Sequence, residues 1–261
     1  MALAIPFVKA AACGNDFVIL ESAHAAGDLA DLTRRICDRH DGVGADGAEW
    51  LGPAADADVH ARLLNADGSE AEISGNGTRC VAAHWVREHG GGQVVVRTGA
   101  GVKTCTLMSQ SGASYEFETA MGQPQKGEPL TIALSAAKVT GVPVSLGNPH
   151  FVIFVDEFRA GWQEQAAEIG RHAAFPQGVN VELVHALGPH HVEVRIFERG
   201  VGETRSSGTG ALASAVAAIG TGHAESPVVV EAPGGSQTVR WEDQLYLRGP
   251  ARILCRGEFF L

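Results

Sequence analysis

The sequence predicts an α+β fold in two pseudo-symmetric halves, each a curved, mostly antiparallel sheet around a central helix. Three observations carry that prediction. Ser74-Gly75-Asn76-Gly77 and Ser207-Gly208-Thr209-Gly210 stand 133 residues apart (207 − 74), and each opens an alanine-rich, helix-like run. Gly14-Asn15-Asp16-Phe17 and Gly147-Asn148-Pro149-His150 share that offset (147 − 14), and Val94-Val95-Val96 with Gly101 recurs as Val228-Val229-Val230 with Gly235 at 134 (228 − 94). The chain of 261 residues holds two domains of ordinary size, each able to bury its own core. One period of half the chain means a duplicated domain, whereas a period of about 20 to 50 residues would mean a solenoid or propeller.

The elements follow in chain order. Asp28 caps a helix over Leu29 to Asp38. A second helix, Asn76 to Glu88, leaves the first Ser-Gly-x-Gly turn; Val81, Ala82, Ala83, Trp85 and Val86 give it few polar faces, so it is the helix a sheet would wrap. Pro124 and Gly127 interrupt two strand-rich regions, which places the boundary between Gln123 and Glu128 and the halves at 1–123 and 124–261, with terminal strands free to cross back. Phe151 to Val155, Val192 to Ile196 and Leu245 to Arg248 are β-branched, aromatic or alternating runs bounded by Gly, Pro and Asp, and read as strands. Gln163 to His172 and Thr209 to Ile219 complete the helices.

Composition narrows the function classes. Hydrophobic residues make up 45% and charged residues 19%, as expected of a soluble globular protein, and the net charge of −10 has no basic cluster to attract nucleic acid or an anionic membrane. No apolar run reaches membrane-spanning length, and the start MALAIPFVKA lacks the regions of a signal peptide, so the chain reads as cytoplasmic. Five scattered cysteines without a CxxC pair suggest neither a disulfide framework nor a zinc site, and His190-His191 has no carboxylate or thiol at ligand spacing. Gly42 to Gly47 fits G-x-G-x-x-G, but it follows the end of a helix where a dinucleotide site requires a strand.

The paired turns point to anion binding. A glycine-rich turn entering a helix leaves backbone N–H groups unpartnered at the positive end of the helix dipole. Two such turns facing one cleft would hold one carboxylate and present its α-carbon to Ser74 and Ser207. Read singly, each serine is an ordinary N-cap. The duplicated register, with polar residues around both turns, favours the ligand-binding reading.

At these residues the chain resembles the diaminopimelate epimerases, cofactor-independent amino-acid epimerases of lysine and cell-wall biosynthesis. Phe7-Val8-Lys9 leads into Gly14-Asn15-Asp16-Phe17-Val18, and Arg39-His40-Asp41-Gly42-Val43-Gly44-Ala45-Asp46-Gly47 follows. Then come Asn65-Ala66-Asp67-Gly68-Ser69, Gly75-Asn76-Gly77-Thr78-Arg79-Cys80, Gly147-Asn148-Pro149-His150, Gly178-Val179-Asn180-Val181 and Glu198 to Thr204. Pro233-Gly234-Gly235 and Gly249-Pro250-Ala251 close the series, so the resemblance covers nearly the whole chain. It implies removal of an α-proton from one face of a carbon and return of a proton to the other, without metal or pyridoxal phosphate, by two cysteines.

This chain departs from the family at those positions, where Ser74 and Ser207 stand. Cys80 belongs to the first motif but reads as a packed helix residue. The resemblance pairs His150 and Glu198 with the two catalytic positions, where either could assist a serine. It implies Asn15, Asn65, Asn148, Asn180, Glu198 and Arg199 as the groups holding diaminopimelate, and Gly75, Asn76, Gly208 and Thr209 as the cradle of its reacting carboxylate. It also implies a homodimer. Three readings of the serines stay open: a cysteine-to-serine double variant, a natural enzyme with altered or serine-assisted chemistry, or a binding protein that has lost catalysis. Isomerases of other small acids, of the phenazine-biosynthesis or proline racemase branches, are the alternative within the fold, though the Asn65, Asn180 and Glu198-Arg199 pattern is not expected there.

Overall fold

Helices placed between parallel strands, set into otherwise antiparallel hairpins, organise the chain. The computed structural model describes residues 4–25 and 27–261. Its contacts divide into two units: residues up to Ala120 together with Arg248–Leu261, and Met121–Leu247.

The first unit contains β1 (Ala4–Ala12), β2 (Asn15–Glu21), α1 (Leu29–Cys37), β3 (Gly47–Gly52), β4 (Val59–Asn65), β5 (Glu70–Ala71), α2 (Gly75–His89), β6 (Gln93–Thr98), β7 (Gly101–Ser111) and β8 (Ser114–Gly122). Antiparallel pairs join β1 to β2, β3 to β4, β4 to β5, β6 to β7 and β7 to β8. The exceptions are β2 with β3 and β4 with β6, both parallel. Parallel neighbours need a crossover, and α1 and α2 are those crossovers. The carboxyl-terminal part of β18 (Leu245–Phe260) returns to pair with β1.

The second unit contains β9 (Gln125–Lys126), β10 (Leu130–Ala133), β11 (Lys138–Ser145), β12 (Pro149–Phe154), α3 (Trp162–Gly170), β13 (Asn180–Gly188), β14 (His191–Glu198), β15 (Gly202–Thr204), α4 (Gly208–Gly220), β16 (Val228–Ala232) and β17 (Gly235–Trp241). Again two pairs are parallel, β12 with β13 and β14 with β16, with α3 and α4 as their crossovers. The pairs β11–β12, β13–β14, β14–β15 and β16–β17 are antiparallel.

Strand alternation decides what each face buries. In β2, Phe17 and Ile19 join the core around α2, while Val18 and Leu20 join Leu32 and Ile36 of α1. In the second unit Val152 and Val184 face the core around α4, and Phe151, Val181 and Leu183 face Trp162 and Ile169 of α3. The two covered faces explain why β2 and β12 read as continuous apolar runs. Full burial of each such side chain contributes about 1.5–3 kcal/mol. Helix α4 is covered on every side, with Ala211, Leu212, Ala213 and Ala215 to Ala218 buried, and Ser214 Oγ donates back to Gly210 O at 2.8 Å.

Local chemistry sets the helix ends. Asp28, Ser74 and Ser207 accept from the backbone N–H groups of Asp31, Gly77 and Gly210 respectively. Helix α2 stops at Gly90, whose φ of 75° suits a residue without Cβ. The helix expected from Gln163 begins at Trp162, after Gly161 in the left-handed conformation, with no side-chain cap. None of the helices is long and apolar enough to cross a membrane among the described residues. The Gly42 to Gly47 stretch runs from a loop after α1 into β3, the reverse of a dinucleotide fingerprint.

Candidate active site

In the first unit the turn into α2 gathers Ser74, Gly75, Asn76 and Asn15. Ser74 has extended backbone (φ −123°), so its Oγ reaches forward to accept from Gly77 N at 3.1 Å. Asn76 Oδ1 accepts from the buried Arg79 guanidinium, which turns Asn76 Nδ2 toward Asn15 Oδ1 at 2.7 Å. Asn15 Nδ2 in turn donates to Asp46 Oδ2 at 3.2 Å. One direction of hydrogen bonding therefore runs from Arg79 to Asp46 and fixes both amides. Beneath it Arg39 bridges Asp46 and Asp16, and Lys9 pairs with Asp16 at 3.0 Å. Burial opposes the charge on Asp16, but the Arg39 and Lys9 hydrogen bonds outweigh it and hold the carboxyl near 2.

Arg79 is 1% exposed, and its recorded hydrogen bonds go to neutral acceptors: Asn76 Oδ1, Pro250 O and Cys13 Sγ. A cation so placed adds to the helix dipole and favours an anion at the α2 turn. Asn65 ends β4, exposed, with its Nδ2 donating to Ser69 Oγ at 3.0 Å, so its hydrogen bonds stay outside this network. Cys80 lies fully buried in α2, and burial pushes its thiol up, consistent with a packing role.

In the second unit the turn into α4 gathers Ser207, Gly208, Thr209, Asn148 and His150. Ser207 Oγ accepts from Gly210 N at 3.2 Å, and Asn148 Nδ2 donates to Thr209 Oγ1 at 3.4 Å. That contact leaves Asn148 Oδ1 to accept from His150 Nε2 at 3.1 Å. His150 Nδ1 then faces Glu182 Oε1 at 2.7 Å, with both residues buried. An imidazole whose Nε2 already carries hydrogen can share a proton along this contact, as imidazolium–carboxylate or as imidazole–carboxylic acid. Burial raises the Glu182 carboxyl; His150 counteracts this, and Glu198 adds to the rise. No hydrogen bond reaches Glu182 Oε2 among the described residues.

Asn180 heads β13, donates to Pro149 O at 3.1 Å and accepts the Arg199 backbone N–H at 2.9 Å. The exposed Arg199 guanidinium donates to Gln177 O at 2.8 Å, and its stem packs on Gly178, where φ is 74° and a Cβ would clash. Glu198 ends β14, half-buried and opposite Gly202. Among the described residues no cluster of three or more His, Cys, Asp or Glu is placed to hold a metal. A groove of about 490 Å³ lined by Phe7, Ile19, His84 and Arg256 contains none of the residues gathered at the two turns.

Sequence reasoning missed Glu49 and Glu182. Glu49 sits in β3 between Ala48 and Trp50, which face α1, so alternation turns it toward α2. A Cβ built on Gly77 would overlap Glu49 Oε1 and lie 3.3 Å from Ser74 Cβ; one built on Gly210 would lie 3.1 Å from both Glu182 Oε1 and Ser207 Cβ. The repeat offset held the missed signal, since 182 − 49 is again 133.

Comparison with known proteins extends beyond the site. The profile of the family described as diaminopimelate epimerase matches residues 7–127 and 142–254. The diaminopimelate epimerase of Carboxydothermus hydrogenoformans is 38% identical over 98% of this chain and 99% of its own length, and that of Desulforudis audaxviator is 39% identical over 97% and 98%. Among solved structures, a hydroxyproline epimerase from Agrobacterium vitis superposes with a TM-score of 0.75 at 16% identity, over 100% of this chain and 94% of that one. A Bacillus anthracis phenazine biosynthesis protein of the PhzF family gives 0.73 at 15% identity, over 99% of each. At those identities the structural likeness speaks to the fold alone.

Proposed function

Because the chain belongs to the diaminopimelate epimerase family, we propose that it interconverts L,L- and meso-diaminopimelate by moving the α-proton from one face of the carbon to the other. It is a cofactor-independent isomerase of the kind that serves lysine and peptidoglycan biosynthesis. The observation that carries this reading is the recurrence of one hydrogen-bonded turn at one offset: Ser74 with Asn15–Asn76, and Ser207 with Asn148–Thr209.

Epimerisation requires a group on each face of one α-carbon. In this account the Ser74 and Ser207 turns serve the two faces, with His150 and Glu198 assisting. The backbone of Gly75, Asn76, Gly208 and Thr209 receives the reacting carboxylate, where charge builds up in the transition state. Asn15, Asn65, Asn148, Asn180, Glu198 and Arg199 hold the distal amino-acid end, with Glu198 facing an ammonium and Arg199 a carboxylate. The like succession of strands and helices supports reading 1–123 and 124–261 as two copies of one domain, related by pseudo-symmetry, with β18 crossing back. We further take the enzyme to work as a cytoplasmic homodimer.

The test is α-proton exchange into deuterated solvent on L,L-diaminopimelate, with chiral analysis of the product, run beside the Ser74→Cys/Ser207→Cys form. One observation favours a second reading, a binding protein without turnover: each serine oxygen already accepts the N–H of its own helix cap. Tight binding with no exchange decides for that reading.

A further inference from the structure

Each serine has a buried carboxyl beside it to which the roles above give no task. Glu49 and Glu182 occupy equivalent positions in β3 and β13, and both reach the third residue of the following crossover helix, Gly77 or Gly210. At Gly77 any side chain would meet Glu49 Oε1, so glycine there admits the carboxylate to the turn beside Ser74. Glu49 is 3% exposed whereas Ser74 is only partly covered, so of the two residues the serine is the one open to solvent.

The units differ in how that carboxyl is compensated. Glu182 Oε1 faces His150 Nδ1, whereas the residue at the equivalent position in the first unit is Phe17 (150 − 133), which has no titratable group. The residues paired with Glu49 across the sheet are Ile19 and Leu63, both apolar. From α2, the buried thiol of Cys80 is an ionisable neighbour, and the Glu49 charge adds to the burial that holds it neutral. Burial raises the carboxyl from 4.5 to about 8, close to the ordinary pKa of a cysteine thiol at about 8.5.

We propose that Glu49 is the proton acceptor that activates Ser74, supplying in the first unit the basicity that a serine hydroxyl lacks by itself. The inference rests on the proposed epimerase activity. The substrate α-C–H bond breaks and its proton passes to Ser74 Oγ while the Ser74 hydroxyl proton moves to the Glu49 carboxylate. The electron pair is taken up by the substrate carboxylate. On the other face Ser207 Oγ gives its proton to the carbon and receives one from the His150–Glu182 pair. The substrate loses one proton and gains one; Glu49 ends with one more and the pair with one fewer, and solvent exchange resets both. Glu49 acts through Ser74 and does not touch the substrate, so it is a positioning residue.

The experiment compares Glu49→Gln and Glu49→Asp with the parent chain and, in parallel, in the Ser74→Cys/Ser207→Cys background, by deuterium exchange and kcat/KM across pH 6 to about 10. General acid–base groups contribute about 10²- to 10⁴-fold, so Glu49→Gln is expected to lower exchange by at least about 10²-fold with little change in KM. The parent should show a rising limb near pH 8, and Glu49→Asp should recover part of the rate with that limb displaced. The loss should be at least about tenfold smaller where a thiol does the chemistry, whereas a purely structural role would lower both backgrounds alike. Equal loss in both, an unchanged rate and limb in Glu49→Gln, or a parent no faster than Glu49→Gln beside an active cysteine form overturns the proposal. Inactivity of the cysteine form on diaminopimelate would instead overturn the proposed function.

Discussion

Asn76 Nδ2 donates to Asn15 Oδ1 at 2.7 Å, tying the head of β2 to the first turn of α2, and Asn148 Nδ2 makes the equivalent tie to Thr209 Oγ1 at 3.4 Å. Both contacts span 61 residues of chain. In each, a side chain at or just before the start of the strand that enters one crossover contacts the second residue of the helix in the next crossover.

The first tie also carries the Arg79 charge. Replacing Asn76 with Ala removes an acceptor from a buried guanidinium and the donor from Asn15. Leaving such groups unsatisfied costs about 1–3 kcal/mol. Urea denaturation of Asn76→Ala should show that loss, together with weaker substrate binding.

Glycine at the third helix position is needed for different reasons of degree in the two units. Alanine normally favours a helix over glycine by about 1 kcal/mol. At Gly77 the new methyl would displace the Glu49 carboxyl, while at Gly210 the nearest atoms lie at 3.1 Å and need only small shifts. Gly77→Ala should therefore lose more stability and more activity than Gly210→Ala, as read by thermal melting and α-proton exchange.

Much of this site was legible in the sequence. Ser74, Ser207, Asn15, Asn76, Asn148 and Thr209 sit in turn-forming motifs whose spacing repeats, and the caps of α1, α2 and α4 follow from residue type alone. Glu49 was not, because one carboxylate among Gly47, Ala48 and Trp50 looks like the solvent side of a half-buried strand. Its burial depends on helices covering both faces of β3, which local pattern cannot reveal. The same applies to the His150–Glu182 contact, which joins two strands that become neighbours only through the α3 crossover.

Glu49 also couples stability to pH. Its folded value of about 8 lies above the ordinary 4.5, so the stability it contributes is complete below about pH 4.5 and is lost as pH rises through about 8. Urea midpoints of the parent should fall between pH 5 and 8 more than those of Glu49→Gln. Parallel slopes for the two proteins would show that Glu49 is not the group responsible.

Arg199 bears on the choice of substrate. Its backbone is fixed by Asn180 and its stem by Gly178, while the guanidinium is exposed. Loss of a charge-assisted pair to a carboxylate should weaken diaminopimelate binding at least about tenfold in Arg199→Ala, measured by calorimetry. Lysine, which lacks the distal carboxylate, should bind the parent weakly and be little affected by the substitution.

The most direct test of two-face proton transfer is the product of L,L-diaminopimelate turnover in deuterated solvent by the parent, the two single cysteine forms and the Ser74→Cys/Ser207→Cys form. The account predicts meso product carrying one solvent deuteron at the inverted carbon, with the parent at least about 10²-fold slower than the double cysteine form and each single form recovering little of the difference, because both faces must be served. Turnover by the parent at the rate of the double cysteine form, or full recovery from one thiol alone, would contradict it.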